Sequence, residues 1–401
     1  MPFILVVLVD IKNFLCYIYR GDFVKVYGVI AEYNPFHLGH LYQIKKIKEY
    51  DKNSLIIALV SSCFTQRGDL SIVDKWERTN ILIDNGIDLV VEFPFGFASQ
   101  GADIFAYGAI KILDMLKIDT LVFGVETMDV ESLKQVACLQ LYSKEYNKMV
   151  KNLMDNGVNY PTAMSTAIYN FMSLKIDKAN DLLALSYVKE IIRQKLTMEP
   201  LAIKRTNNYH DMSLNNKIIS GSAIRCLIRE DKDVSRYVVG SCNYYNKDRN
   251  IFFNMLKYQI INNINSLDKF NTVDEGIENR IRKVIFKSNS WEELIYNIKT
   301  KRYTYNKVNR MLVHILTNFT KEDNSCIDID YIRLLGFGKE GQKYLNQIKK
   351  IIHVPIITKY KPNLSRLLDI EFRVNAIYAS VIENGDDMIL KEYSHKPIIG
   401  N

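Results

Sequence analysis

At 401 residues, with 48% apolar and 24% charged side chains, the chain is long enough for two or three cores, and its balance excludes a largely disordered or membrane-embedded protein. A net charge of +8 suits a polyanionic partner such as nucleic acid, although a modest excess over a large surface also serves solubility. Six cysteines (Cys16, Cys63, Cys138, Cys226, Cys242 and Cys326) have no paired metal-type spacing, which points to reduced thiols in the cytoplasm and to no structural metal site.

Met1 to Val9 is apolar, but Asp10 and Lys12 interrupt it, no basic segment precedes it, and no small-residue cleavage site follows. It reads as neither signal peptide nor membrane span. Residues 1–25 are expected to be an upstream extension from a misassigned start, with Val24 as the natural initiator, because Val24-Lys25-Val26-Tyr27-Gly28 begins a strand directly.

Val26 to Ala31 has the pattern of a buried strand, and Leu41, Ile44, Ile47 and Lys48 then recur at helical spacing. Between them runs Glu32-Tyr33-Asn34-Pro35-Phe36-His37-Leu38-Gly39-His40. A strand-to-helix turn presents free backbone N–H groups and the positive end of the helix dipole, so it attracts anions. Gly39 lets the backbone approach a phosphate, and His37 and His40 place two imidazole donors on its oxygens, most usefully on an α-phosphate under attack. Two polar residues that merely cap a helix fit the same pattern.

Ser54–Val60, Ile87–Phe93 and Thr120–Phe123 follow as strands, with helical periodicity over Ile72–Ile83 and Asp103–Leu116. This alternation predicts an α/β fold for residues 26–231, a doubly wound, Rossmann-like parallel sheet. Ligands of such sheets bind at the carboxyl ends of the strands, where the His37–His40 turn falls. Gln66-Arg67-Gly68-Asp69 and Phe123-Gly124-Val125-Glu126 should reach the same edge, as sites or as ordinary loops. Met128 to Lys195 reads as a mainly helical insertion, in which Pro161 begins one helix and Asn180 or Asp181 caps another. A short strand, Leu201–Lys204, leads to Arg205. Ser220-Gly221-Ser222-Ala223-Ile224-Arg225 then opens a helix with hydroxyls and a basic residue in its first turn, a second phosphate site or an ordinary capped helix.

Beyond Asp231 the pattern is mostly helical, over Ile251–Ile264, Gly276–Phe286 and Lys307–Phe319, with a late strand–helix unit from Tyr331 to Ile357. Residues 232–401 are therefore expected to form a separate, mostly α-helical C-terminal region. Its Arg282, Lys283, Lys301, Arg302, Lys307 and Arg310 interleave with Tyr303 and Tyr305, a mixture suited to RNA phosphates and a stacked loop base, or to a solvated face over a helical core.

The two turns, His37-Leu38-Gly39-His40 and Ser220 to Arg225, resemble the paired phosphate-binding signatures of the nucleotidylyltransferase superfamily. Longer stretches narrow the resemblance: Gly28 to His37, Phe64-Thr65-Gln66-Arg67-Gly68, Asp88 to Pro94, Ile203-Lys204-Arg205 with Tyr209-His210-Asp211, Arg302-Tyr303-Thr304 and Tyr331 to Phe337. Together, from about Val26 to beyond Ile370, they are similar to the bacterial tRNA(Met) cytidine acetate ligase family. The resemblance implies ATP-dependent activation of free acetate as acetyl-adenylate, then acetylation of the wobble cytidine amine of elongator tRNA(Met), with no enzyme nucleophile, no membrane and no stable protein partner. It also implies roles. Ile30, Ala31, Glu32, Tyr33, Asn34, Pro35, Phe36, His37, Leu38, Gly39, His40, Leu41, Tyr42 and Gln43 form the ATP loop, with His37 and His40 catalytic. Gly124, Asn180 and Arg205 contact ATP, Ser222 and Arg225 hold pyrophosphate, and Arg302, Lys307 and Arg310 take tRNA. Magnesium would bridge the triphosphate without a carboxylate cage.

Three positions depart from the family pattern. Ser61-Ser62-Cys63 stands where relatives usually carry Gly after the Ser, so Ser62 is expected to face the nucleotide pocket. Asp181 replaces an expected second Asn. Cys63 is a small filler, since no base partner is evident. Two other classes compete: a small-molecule nucleotidylyltransferase, which needs no basic helical half, and a non-catalytic RNA-binding protein, which needs no paired phosphate turns.

Overall fold

The computed structural model describes residues 24–205, 218–245 and 248–400. Residues 1–23 of the expected extension over 1–25 and the motif Tyr209-His210-Asp211 lie outside the described residues. In chain order, β1 (Val26–Ala31), α1 (Leu38–Tyr50), β2 (Leu55–Ser61), α2 (Lys75–Asp84), β3 (Leu89–Phe93), the single turn α3 (Phe95–Ala98), α4 (Ala102–Met115) and β4 (Thr120–Val125) alternate as the periodicity predicts. The insertion consists of α5 (Val130–Tyr142), α6 (Lys144–Asp155), α7 (Tyr160–Met172) and α8 (Ala179–Arg193), followed by β5 (Glu199–Lys204) and α9 (Gly221–Arg229). Next come α10 (Phe253–Asn262), α11 (Ile277–Val284), α12 (Trp291–Ile298), α13 (Tyr305–Leu316) and α14 (Lys321–Cys326). The chain closes with β6 (Ile332–Phe337), α15 (Lys339–Ile348), β7 (Ile356–Ile357), α16 (Arg366–Ala379), α17 (Gly385–Ser394) and β8 (Ile398–Ile399).

The strands form one sheet in the order β5-β4-β1-β2-β3-β6-β7, with β8 also on β6. Strands β1 to β5 run parallel. They are near-continuous apolar runs because both faces are covered. Ile57, Leu59, Leu89 and Leu121 join the core of α4, α5 and α8, while Ile56, Ala58, Val60, Val90 and Val122 join Ile44 and Ile47 of α1 and Leu82 of α2. From β1 the chain winds outward through β2 to β3, then crosses to β4 and β5 on the other side. The order therefore reverses between β1 and β4, and a crevice opens beyond their C-terminal ends.

The expected separation at residue 231 is not the one observed. Strand β6 pairs antiparallel with β3, Val90 opposite Gly336 and Val91 opposite Leu334, which makes the sheet mixed rather than wholly parallel. An exposed β3 edge would leave unpaired backbone groups, and the apolar β6 covers it. A buried charge cluster locks the joint: Lys75 Nζ lies 2.6 Å from Glu92 and 2.7 Å from Glu392, and Arg333 lies 2.6 Å from Glu392. The helical core of α10 to α13 and α16 likewise takes in Phe64, from the loop after β2, and Phe95, the first residue of α3. Among the described residues no helix is long and apolar enough to cross a membrane.

Candidate active site

Beyond β1 and β4 lies a cleft of about 240 Å³, bounded by the first turns of α1 and α9. His37 is the N-cap of α1, and its Nδ1 accepts the Gly39 N–H at 3.0 Å. His40 returns the contact, its Nδ1 accepting the His37 N–H at 3.3 Å, so the two histidines form a capping box. Their rings stack with centroids 3.6 Å apart. Burial, then Arg205 and Arg225, push the His37 imidazole down to about 3, and burial, then His37 and Arg205, hold His40 well below its ordinary value. Both rings are thus neutral near pH 7. Because each Nδ1 accepts a backbone proton, each Nε2 carries the ring proton and is a donor.

This corrects one expectation. The α1 N-terminus does not offer its backbone N–H groups to an anion: Leu38 N–H donates to the Tyr237 carbonyl at 3.0 Å, Gly39 N–H to His37 Nδ1, and His40 N–H to the His37 carbonyl at 2.8 Å. These backbone bonds use only the Nδ1 atoms of the two rings and do not occupy Nε2. Of the run Ile30 to Gln43, the side chains of Pro35, Phe36, Leu38 and Leu41 are absent from the cleft wall, whereas the other ten residues line it. Phe36 is instead buried edge-on against Tyr33, with centroids 5.1 Å apart. Tyr33, at φ 45°, keeps its hydroxyl buried without a partner on the cleft wall.

The second turn faces the first. Ser220 caps α9 through its Oγ, which accepts the Ala223 N–H at 3.2 Å. A Cβ added at Gly221 would sit 3.6 Å from His37 Nε2 and 3.4 Å from Arg225 Nη1, which places this backbone between the two side chains. Arg225 is held in place by the Asn34 carbonyl at 2.9 Å and the Ser222 hydroxyl at 3.3 Å.

Arg205 crosses the end of β4, where its Cγ would lie 3.3 Å from a Cβ at Gly124. Its Nε is buried without a partner, and desolvation holds its guanidinium below the usual value. Asn180 reaches the cleft and donates to Glu126 at 2.7 Å. Asp181 is fully buried and accepts from the backbone N–H of Glu126 and Thr127, at 2.7 and 3.0 Å. It holds the turn that follows β4, two residues past Gly124, and has no place on the cleft wall.

Other expectations change. Ser62 does not face the pocket; it is buried and donates to Asn375 Oδ1 of α16 at 2.9 Å. Cys63 is buried beside the same amide, and desolvation pushes its thiol up, which suits a filler rather than a nucleophile. Tyr303 and Tyr305 are not open stacking platforms. The former is buried with its hydroxyl on the Asp274 carbonyl at 2.5 Å and Lys307 over its ring at 3.9 Å, and the latter bonds Glu292 at 2.8 Å. Arg302 pairs with Glu275 at 3.1 Å on the surface, and Arg310 donates to the Gln66 carbonyl at 3.2 Å. Arg78, which carried no sequence signal, is fully buried and donates to the carbonyls of Glu32 and Ser62, both at 2.6 Å, tying the ends of β1 and β2 together.

The family model for HIGH Nucleotidyl Transferase matches residues 24–392. The chain is 35% identical to the tRNA(Met) cytidine acetate ligase of Anoxybacillus flavithermus, covering 93% of this chain and 100% of that protein. The chain belongs to the tRNA(Met) cytidine acetate ligase family. Its Bacillus subtilis relative is 34% identical, over 93% of this chain and 97% of that one. Among solved structures, apo TmcAL of Thermotoga maritima superposes with a TM-score of 0.86 at 27% identity, covering 94% and 99% of the two chains. The same ligase bound with alpha-thio ATP gives 0.84 at 26% identity, with the same coverage.

Proposed function

We propose that this cleft adenylates acetate with ATP and passes the acetyl group to the N4 amine of the wobble cytidine of elongator tRNA(Met), giving N4-acetylcytidine, AMP and pyrophosphate, in the cytoplasm. The carrying observation is the convergence of two neutral imidazole donors with Ser222 and Arg225 across one cleft, supported by the relatives' name and by the nucleotide analogue named for the Thermotoga protein.

The chemistry follows from these groups. A carboxylate oxygen of acetate attacks the α-phosphorus, and the bond from that phosphorus to the bridging oxygen of the β-phosphate breaks, its electron pair leaving with pyrophosphate. Negative charge builds on the α-phosphate oxygens and on the leaving group. His37 and His40 Nε2–H stabilise the former, and Ser222 and Arg225 the latter. Neutral imidazoles suit this task, since the tautomer is fixed by the capping box and no proton need be gained or lost. The cytidine amine then attacks the acetyl carbonyl carbon, AMP leaves with the carbon–oxygen bond pair, and the amine releases a proton. Arg205 and Gly124 hold the nucleotide, with Asn180 positioned by Glu126. Among the described residues no group of three or more His, Cys, Asp or Glu is placed to hold a metal, so magnesium would arrive on the triphosphate itself.

For the RNA we infer that Arg302, Lys307 and Arg310 take backbone phosphates through charge alone, since the neighbouring tyrosines are occupied. Pyrophosphate release that requires acetate, followed by acetyl transfer to a tRNA(Met) transcript, is the result expected. Release without acetate would favour a small-molecule nucleotidylyltransferase, and RNA binding without ATP turnover a non-catalytic binder.

A further inference from the structure

We propose that Arg67 anchors the carboxylate of acetate beside the α-phosphate, on a loop that the helical region holds rigid. This rests on the acetate-adenylating reading above. Acetate is an anion that must meet a polyanion, and two such groups repel strongly in a partly desolvated cleft unless a cation lies between them. The cleft's other guanidiniums have positions suited to ATP. Arg225 is bonded into the pyrophosphate turn, and Arg205 lies along Gly124 at the end of β4. Arg67 lines the same cleft with a planar fork that matches a carboxylate in two-point contact. Burial lowers the guanidinium pKa of both Arg205 and Arg310, and the positive charge of Arg67 adds a smaller push in the same direction to each. Such a row of cations is disposed to take more than one anion.

The backbone of the loop that carries Arg67 is fastened from two sides. Gln66 N–H donates to Glu32 Oε1 at 2.8 Å, fastening the loop to the end of β1. From the other side, Asn309 Nδ2 donates to the Arg67 carbonyl at 2.9 Å, while its Oδ1 accepts from Trp291 at 2.9 Å and Arg249 at 3.0 Å. Gly68, at φ 77°, packs so closely on α13 that an added Cβ would lie 2.9 Å from the Arg310 nitrogen. A site fixed before its ligand arrives loses little freedom on binding. The phosphates of tRNA are the other source of the same chemistry. Arg67 shares the cleft with His37 and His40, whereas Arg302 and Lys307 lie outside its wall, and this favours acetate.

The test is acetate-dependent ATP–pyrophosphate exchange by the full-length protein without tRNA. Arg67→Ala is expected to raise the KM for acetate at least tenfold and the KM for ATP less than twofold, with Arg67→Lys between wild type and Ala. If the alanine chain does not fold, Arg67→Gln takes its place. An unchanged KM for acetate overturns the proposal, and if the KM for tRNA rises instead, the anchor belongs to an RNA phosphate. Exchange by the wild-type protein that is indifferent to acetate sinks the underlying reading rather than the role of Arg67.

Discussion

At the residue scale, the pair His37 and His40 does more than cap a helix. Each ring uses one nitrogen to satisfy the backbone and keeps the other as a donor, so the structural and chemical roles are the same arrangement. Gly39 makes it possible, because a Cβ there would come 2.8 Å from His37 Cε1 and 3.0 Å from its Nδ1. Gly39→Ala should therefore cut adenylate formation about 100-fold, as misplacement by an ångström does, while shifting the melting temperature only a few degrees. Steady-state kinetics beside a thermal melt checks this; equal activity would mean that His37 is free to move without penalty. A pH titration followed by NMR gives a second check. With His37 pushed down to about 3 and His40 also depressed, neither imidazole should titrate between pH 5 and 9. The sign for stability follows. The contribution of these rings is present above about pH 6.5 and is lost as pH falls toward 3, because the unfolded chain takes up the protons first.

At the scale of elements, strand positions were legible because buried parallel strands are continuous apolar runs, and β1 is found at Val26–Ala31 as expected. The turns that open α1 and α9 were legible because Gly, Ser and His punctuate the start of a helix. The pairing of β6 with β3 was not, since an antiparallel edge strand carries the same local pattern as a parallel one and its partner lies more than two hundred residues away. Arg78 was hidden for a related reason: a charged residue on a helix reads as solvated until the fold buries it. Asp181 shows what a departure from the family pattern means. Its two oxygens accept two backbone N–H groups and the Thr127 hydroxyl, a job for a carboxylate rather than an amide. Asp181→Asn turns one acceptor into a donor and should cost about 1–3 kcal/mol in denaturant unfolding, with a raised KM for ATP through Gly124. No loss of stability would contradict the clasp.

For the whole molecule, the central feature is that the helical core takes in residues from beside the sheet, and that both regions share one buried set of charges. Glu371 of α16 accepts the Phe95 N–H at 2.5 Å and lies near Glu92. Burial, then Glu92, pushes its carboxyl up to about 8. The folded protein therefore holds a proton that the unfolded chain releases near pH 4.5, so this contribution is full below that value and is lost as pH rises to about 8. Glu371→Gln should remove that loss, worth on the order of a few kcal/mol, and the difference between the variant's and the wild type's unfolding free energies at pH 5 and pH 8 measures it. Equal slopes would place the proton elsewhere.

The proposed reaction depends on acetate meeting ATP at the His37–His40 turn. The direct measurement is transfer of labelled acetate to a tRNA(Met) transcript by wild type and by His40→Ala, with pyrophosphate and tRNA binding followed together. The prediction is one pyrophosphate and one acetylated wobble cytidine per acetate for the wild type, and near-complete loss of both in the variant with tRNA affinity within about twofold. A wild-type chain that releases pyrophosphate without acetate, or a His40→Ala variant that turns over normally, would contradict it.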